Sequence, residues 1–120
     1  MNKFERLERL IGTSMVNSFK NEKILVVGCG GVGGYVIEGL VRSCFTDITV
    51  VDYDMVDITN CNRQIIALNS TISKDKVDLI KERALDINSN INITCYKIKL
   101  DRDNIDEVFS SDYTYVIDAC

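Results

Sequence analysis

The chain has 120 residues, enough for one domain with a core of its own. Apolar residues make up 46% and charged residues 27%, an ordinary globular balance, and no apolar run reaches the length of a membrane span. A net charge of −4 argues against a strong, chain-wide nucleic-acid surface, and the lack of histidine and of any C-x-x-C pair argues against zinc.

The first segment predicts an amphipathic helix over residues 2–20. Phe4, Leu7, Leu10 and Ile11 recur at helical spacing, with Glu5, Arg6, Glu8 and Arg9 between them. Gly12 and Thr13 interrupt it, and Ser14 to Phe19 form a second short helix. Such a charged start does not fit a signal peptide. Residues 1–22 are therefore expected as a helical segment ahead of an α/β domain over 23–120.

Ile24 to Val27 then read as a buried strand. Gly28, Gly30 and Gly33 follow on the G-x-G-x-x-G spacing and open a helix that runs to about Ser43. The first glycine permits the tight turn, the second lets backbone N–H groups approach a phosphate, and the third lets helix and strand pack closely. The helix N-terminus adds free donors and partial positive charge. No Gly-Lys-Ser/Thr follows, so this is not a Walker loop. Ile48 to Val51 make the second strand and deliver Asp52 to the position of a ribose-binding acid. Without that context the glycines would serve only turns and packing.

Asp54 to Ser73 is polar and irregular, with one helical turn expected at Ile65 to Leu68. Lys74 to Asn88 reads as a helix, with Ser73 as its N-cap. Ile91 to Lys97 is a third strand, Asp103 to Phe109 a short helix begun by Asp103 or Asn104, and Tyr113 to Asp118 a fourth strand. Strands alternating with helices predict a parallel, Rossmann-like sheet in the order 3-2-1-4. The fourth strand is then an edge, yet Tyr115, Val116, Ile117, Ala119 and Cys120 read as buried on both faces. Further strands are expected to follow, which would make this chain the N-terminal part of a longer domain.

The odd cysteine count suggests reduced thiols in a cytoplasmic protein. Cys44 and Cys95 read as small buried hydrophobes. Cys29, in the glycine turn, reads either as a small tolerated side chain or as a thiol of lowered pKa.

The loop carries TNCNRQ, and Lys76 stands near the start of the next helix. Arg63 is suited to fork onto phosphate oxygens and Lys76 to act as a point charge. A hydride carrier needs no such pair, whereas an enzyme that expels pyrophosphate does. The bland alternatives are a loop-stabilising arginine and a solvated lysine.

GCGGVGG, VVDYDMVDITNCNRQ, SKDKVD, INSNINIT and YVIDAC follow one another along nearly the whole chain. Together they resemble the ThiF/MoeB/ubiquitin-activating superfamily of adenylating enzymes. The N-x-N-R-Q-I-x-A-L loop and the FERLERLIG opening are most similar to its tRNA threonylcarbamoyladenosine dehydratase branch. The resemblance implies ATP and Mg²⁺, a tRNA substrate and a homodimer. It implies that Gly28, Gly30, Gly31 and Gly33 hold the nucleotide, that Asp52 binds the ribose, and that Asp54 supports the site or the metal. Asn60 and Asn62 would order the loop or touch the nucleotide, and Arg63 and Lys76 would bind phosphates. Asp118 would pack beneath the nucleotide, because the metal-binding aspartate of the family falls three residues later, past Cys120. An arginine reaching into a partner subunit would be Arg6, or else Arg9. The residues past Cys120 being absent, this chain alone is expected to turn over little. Two other functions compete: an adenylyltransferase for a ubiquitin-like sulfur carrier, and a plain NAD-binding module.

Overall fold

Leu25, the central residue of the first strand, is completely buried because helices and loops cover both faces of the sheet around it. The structure is a computed structural model and describes residues 2–120. Lys23–Val27 (β1), Asp47–Val51 (β2), Asn92–Tyr96 (β3) and Tyr115–Asp118 (β4) form one parallel sheet in the order β3-β2-β1-β4, the order expected. In register, Ile24 faces Ile48 and Tyr115, and Val26 faces Val50 and Ile117. A strand packed on both faces needs apolar side chains at every position, which is why β1 reads as a continuous run.

On one face Ile24, Val26, Ile48 and Val50 meet Ile37 and Val41 of Gly33–Arg42 (α3) and Val77, Ile80 and Ala84 of Lys76–Ile87 (α4). On the other, Leu25 and Val51 meet Val108 of the short helix Ile105–Val108 (α5), with Ile98 and Leu100 beside them. Each such side chain taken from water contributes about 1.5–3 kcal/mol.

The N-terminal segment is two helices, Glu5–Ile11 (α1) and Thr13–Phe19 (α2), divided at Gly12 with φ +90°. Phe19 stacks on Phe45 at 4.4 Å and Val16 is buried, which docks α2. The apolar side expected for α1 is not covered: none of its residues is buried, and Leu10 is 80% exposed.

Three expectations need correction. The helical turn of the long loop lies at Ile58–Asn62, a 3-10 helix, and not at Ile65–Leu68. A reciprocal cap sets it there: the Asp57 carboxylate accepts the Thr59 N–H, and the Asp57 N–H donates to Asn60 Oδ1, each at 2.8 Å. Ile66 and Ala67 instead plug the loop into the core. Ser73 is not the N-cap of α4. It sits at φ +69° where the chain pairs antiparallel with Met55 and Val56, and α4 starts after Asp75. Finally, β4 is not buried on both faces. Tyr115 and Val116 are 59% and 50% exposed, because β4 is an edge strand among the described residues. Among the described residues no helix is long and apolar enough to cross a membrane.

Candidate functional site

A cavity of about 480 Å³ opens at the C-terminal ends of β1 and β2, where Val27 and Val51 end their strands. β1 connects to β2 on one side and pairs with β4 on the other, so the cavity stands at the switch point of the sheet. Crevices of this kind are where open α/β sheets bind ligands. Its floor is the glycine turn, its sides are Asp52 to Asp54 and Ile98 to Leu100, and Arg63, Gln64 and Lys76 close it.

The glycine turn has no room for a side chain at Gly28 or Gly33. Gly28 has φ +95°, and a Cβ there would lie 2.8 Å from the Ala119 carbonyl oxygen. A Cβ on Gly33 would lie 1.8 Å from the Gly28 carbonyl oxygen, so the start of α3 touches the end of β1 directly. Gly30 and Gly31 line the cavity, whereas Gly33 does not. The α3 N-terminus carries no side-chain cap, which leaves its first N–H groups free of side-chain partners.

Asp52 is bound into this turn. Its Oδ2 accepts the Cys29 N–H at 2.8 Å and the Cys29 thiol at 3.4 Å, and its Oδ1 accepts the Asp54 N–H at 2.8 Å. Cys29 is fully buried. That burial, and then the Asp52 charge, push its thiol pKa well above the ordinary range, so the lowered-pKa alternative for Cys29 is wrong and the small buried side chain is right. Cys44 is buried as expected, while Cys95 is only partly so, with burial pushing its thiol up to about 11.

Lys76 is not a solvated lysine. Only 5% of its side chain is exposed, and among the described residues its ion-pair partner is Asp54, 3.7 Å away and half exposed, with the Asp57 charge acting from further off. A buried ammonium whose counter-charges are distant is left under-compensated, and an anion in the cavity would complete it. Arg63 lies with its stem over Gly31, since a Cβ there would meet its Cγ, Cδ and Nε at 3.5–3.6 Å. Its Nη1 donates to Asn62 Oδ1 at 2.9 Å and to the Thr59 carbonyl at 3.4 Å. Gln64, part of the same loop motif, also enters the cavity. It is 7% exposed, lines the cavity, and keeps a buried Oε1 with no partner among the described residues. Only its place beside Arg63 in the loop motif hinted at it.

Gly28, Gly30, Gly31, Asp52, Asp54, Arg63 and Lys76 thus share one cavity. Asn60 and Asn62 do not line it. Asn60 serves the cap of the 3-10 helix and Asn62 holds Arg63. Asp118 also stays outside and accepts the Cys120 N–H at 3.2 Å. Arg6 is exposed on α1, and Arg9 pairs with Glu5 at 3.0 Å. Among the described residues no three His, Cys, Asp or Glu side chains converge as a metal cage.

These features define an open parallel α/β domain with a switch-point crevice, the class of fold that takes nucleotides. The chain belongs to the ThiF family, whose model matches residues 4–120. It is 41% identical over 119 residues to the tRNA threonylcarbamoyladenosine dehydratase of Bacillus subtilis, covering 99% of this chain and 47% of that protein. The crystal structure of Escherichia coli tRNA N6-threonylcarbamoyladenosine dehydratase, TcdA, in complex with ATP superposes with a TM-score of 0.94 at 37% identity, over 98% of this chain and 49% of that one. The adenylyltransferase and sulfurtransferase uba4 of Ogataea parapolymorpha is 34% identical over 102 residues, 85% of this chain and 26% of that protein. The chain therefore spans about half the length of the dehydratases it matches.

Proposed function

We propose that this chain is the ATP-binding, N-terminal part of an ATP-dependent tRNA threonylcarbamoyladenosine dehydratase. The observation that carries the proposal is the buried, under-compensated Lys76, which shares a cavity with Arg63 and the glycine turn. Residues 23–120 form the adenylation domain, and 1–22 the helical segment ahead of it.

In this reading the Asp52 carboxylate takes the ribose hydroxyls. Lys76 and Arg63 neutralise the phosphates, and the N-terminus of α3, which has no side-chain cap, adds to that field. A substrate carboxylate attacks the α-phosphorus and pyrophosphate leaves, with Arg63 and Lys76 stabilising the growing charge. The acyl-adenylate is then attacked by a group of the same side chain, AMP departs, and a ring closes with net loss of water. Attack within one molecule needs no protein nucleophile, which suits a chain with no histidine and a buried, protonated Cys29. Mg²⁺ would be held by the phosphates together with Asp54 of this chain, and it would offset phosphate charge. Arg6 or Arg9 would serve only across a homodimer, and a cytoplasmic setting follows from the tRNA substrate.

Calorimetry tests the nucleotide: ATP and AMP are expected to bind saturably, and NAD is not. NAD binding without ATP or AMP binding would restore the dinucleotide alternative. Exchange of labelled pyrophosphate into ATP, in the whole protein, is expected to depend on modified tRNA. Exchange that ignores this tRNA and requires a sulfur-carrier protein would make the enzyme an adenylyltransferase of the uba4 kind. Residues 1–120 alone are expected to show little turnover.

A further inference from the structure

We propose that Cys29 is a positioning residue that sets how Asp52 presents itself to the ribose of the bound nucleotide. This inference rests on the nucleotide reading of the cavity. The geometry is specific. One residue supplies two donors to one carboxylate oxygen: its N–H at 2.8 Å and its thiol at 3.4 Å both reach Asp52 Oδ2. Asp54 supplies a third donor, to Oδ1. A carboxylate has about four lone-pair sites, so the two on Oδ2 are taken and one on Oδ1 remains for a ribose hydroxyl. Cys29 is completely buried within the core cluster, and the Asp52 charge helps to keep its thiol protonated and therefore a donor. The thiol hydrogen bond thus fixes the carboxylate plane and directs its free lone pair toward the cavity that Asp52 lines.

The test compares ATP with 2′-deoxy-ATP and 3′-deoxy-ATP by calorimetry on the 120-residue chain and its Cys29→Ala and Cys29→Ser variants. In the wild type, ATP is expected to bind more tightly than at least one deoxy analogue. Cys29→Ala is expected to shrink that preference by roughly three- to ten-fold, the scale of one ordinary net hydrogen bond, as suits a weak thiol donor. Cys29→Ser, which keeps a donor, is expected to retain it. A uniform loss of affinity for all three nucleotides, or no change, would overturn the inference and leave Cys29 a packing residue. An unfolded Cys29→Ala variant leaves the question to Cys29→Ser: a lost preference there, in a folded protein that still binds ATP, would also overturn it. A wild type with no saturable ATP binding at all would overturn the nucleotide reading itself, and the inference with it.

Discussion

Single residues at this site are constrained by backbone contact more than by chemistry. Gly28→Ala forces an L side chain into φ +95° and against the Ala119 carbonyl, at a cost of about 1–3 kcal/mol. Gly33→Ala puts a methyl group 1.8 Å from the Gly28 carbonyl, and no side chain can move aside to relieve it. It is expected to lose about 3 kcal/mol or more. Gly39, exposed in α3 with nothing within 4 Å of its missing Cβ, is the control, and Gly39→Ala should gain about 0.5–1 kcal/mol. Urea midpoints for the three variants would test this ranking, and a Gly33→Ala protein as stable as wild type would defeat it. The glycine spacing was legible in the sequence because it reflects local backbone demands. The burial of Lys76 and Gln64 was not, because a polar residue in a loop or first helical turn looks solvated until the chain folds over it.

Helix α3 is joined to helix α4 by one carboxylate. Glu38 accepts from Arg83 Nε at 2.6 Å and Nη2 at 3.1 Å, and from Arg42 Nε at 2.8 Å. The hydrogen bond from Arg83 is the main reason the Glu38 carboxyl titrates below its usual value of 4.5. A lowered folded-state pKa means that this contribution is present at neutral pH and fades as the pH falls through and below 4.5. Glu38→Ala is therefore expected to cost about 1–2 kcal/mol at pH 7. The gap from wild type should narrow progressively in urea titrations as the pH is taken below 4.5, and a gap that does not change with pH would contradict the assignment. The element pattern itself followed from apolar periodicity, which placed all four strands and helices α3 and α4 to within a few residues. The misplaced turn in the long loop arose because Ile65 to Leu68 look helical, while Ile66 and Ala67 fill the core and Leu68 stays exposed. The pairing of residues 73–75 is with Met55 and Val56, which are distant in sequence.

At the scale of the whole molecule, the two edges of the sheet and the N-terminal helix set how the chain behaves in solution. β4 presents Tyr115 and Val116 to solvent, and Ile105 of α5 and Phe109 just after it are 40% and 43% exposed. An apolar edge strand with free backbone groups is a site for association. Light scattering of this chain should show a mass that rises with concentration, and Val116→Lys should reduce that rise. A monodisperse monomer at high concentration would show the edge to be harmless.

The sequence alone determined the α/β class, the strand order and the glycine turn with its acid, because each depends on periodicity and on spacing between near neighbours. It also carried the family, through motifs spread along nearly the whole chain. Only the tertiary structure decided which polar residues meet. It brought Gln64 and Lys76 into the cavity, left Asn60, Asn62 and Asp118 outside it, and joined Cys29 to Asp52. The place of Gln64 depends on how a long loop folds back onto the ends of two parallel strands, a path anchored by the burial of Ile66 and Ala67, whereas the Cys29–Asp52 contact depends on β1 and β2 ending side by side.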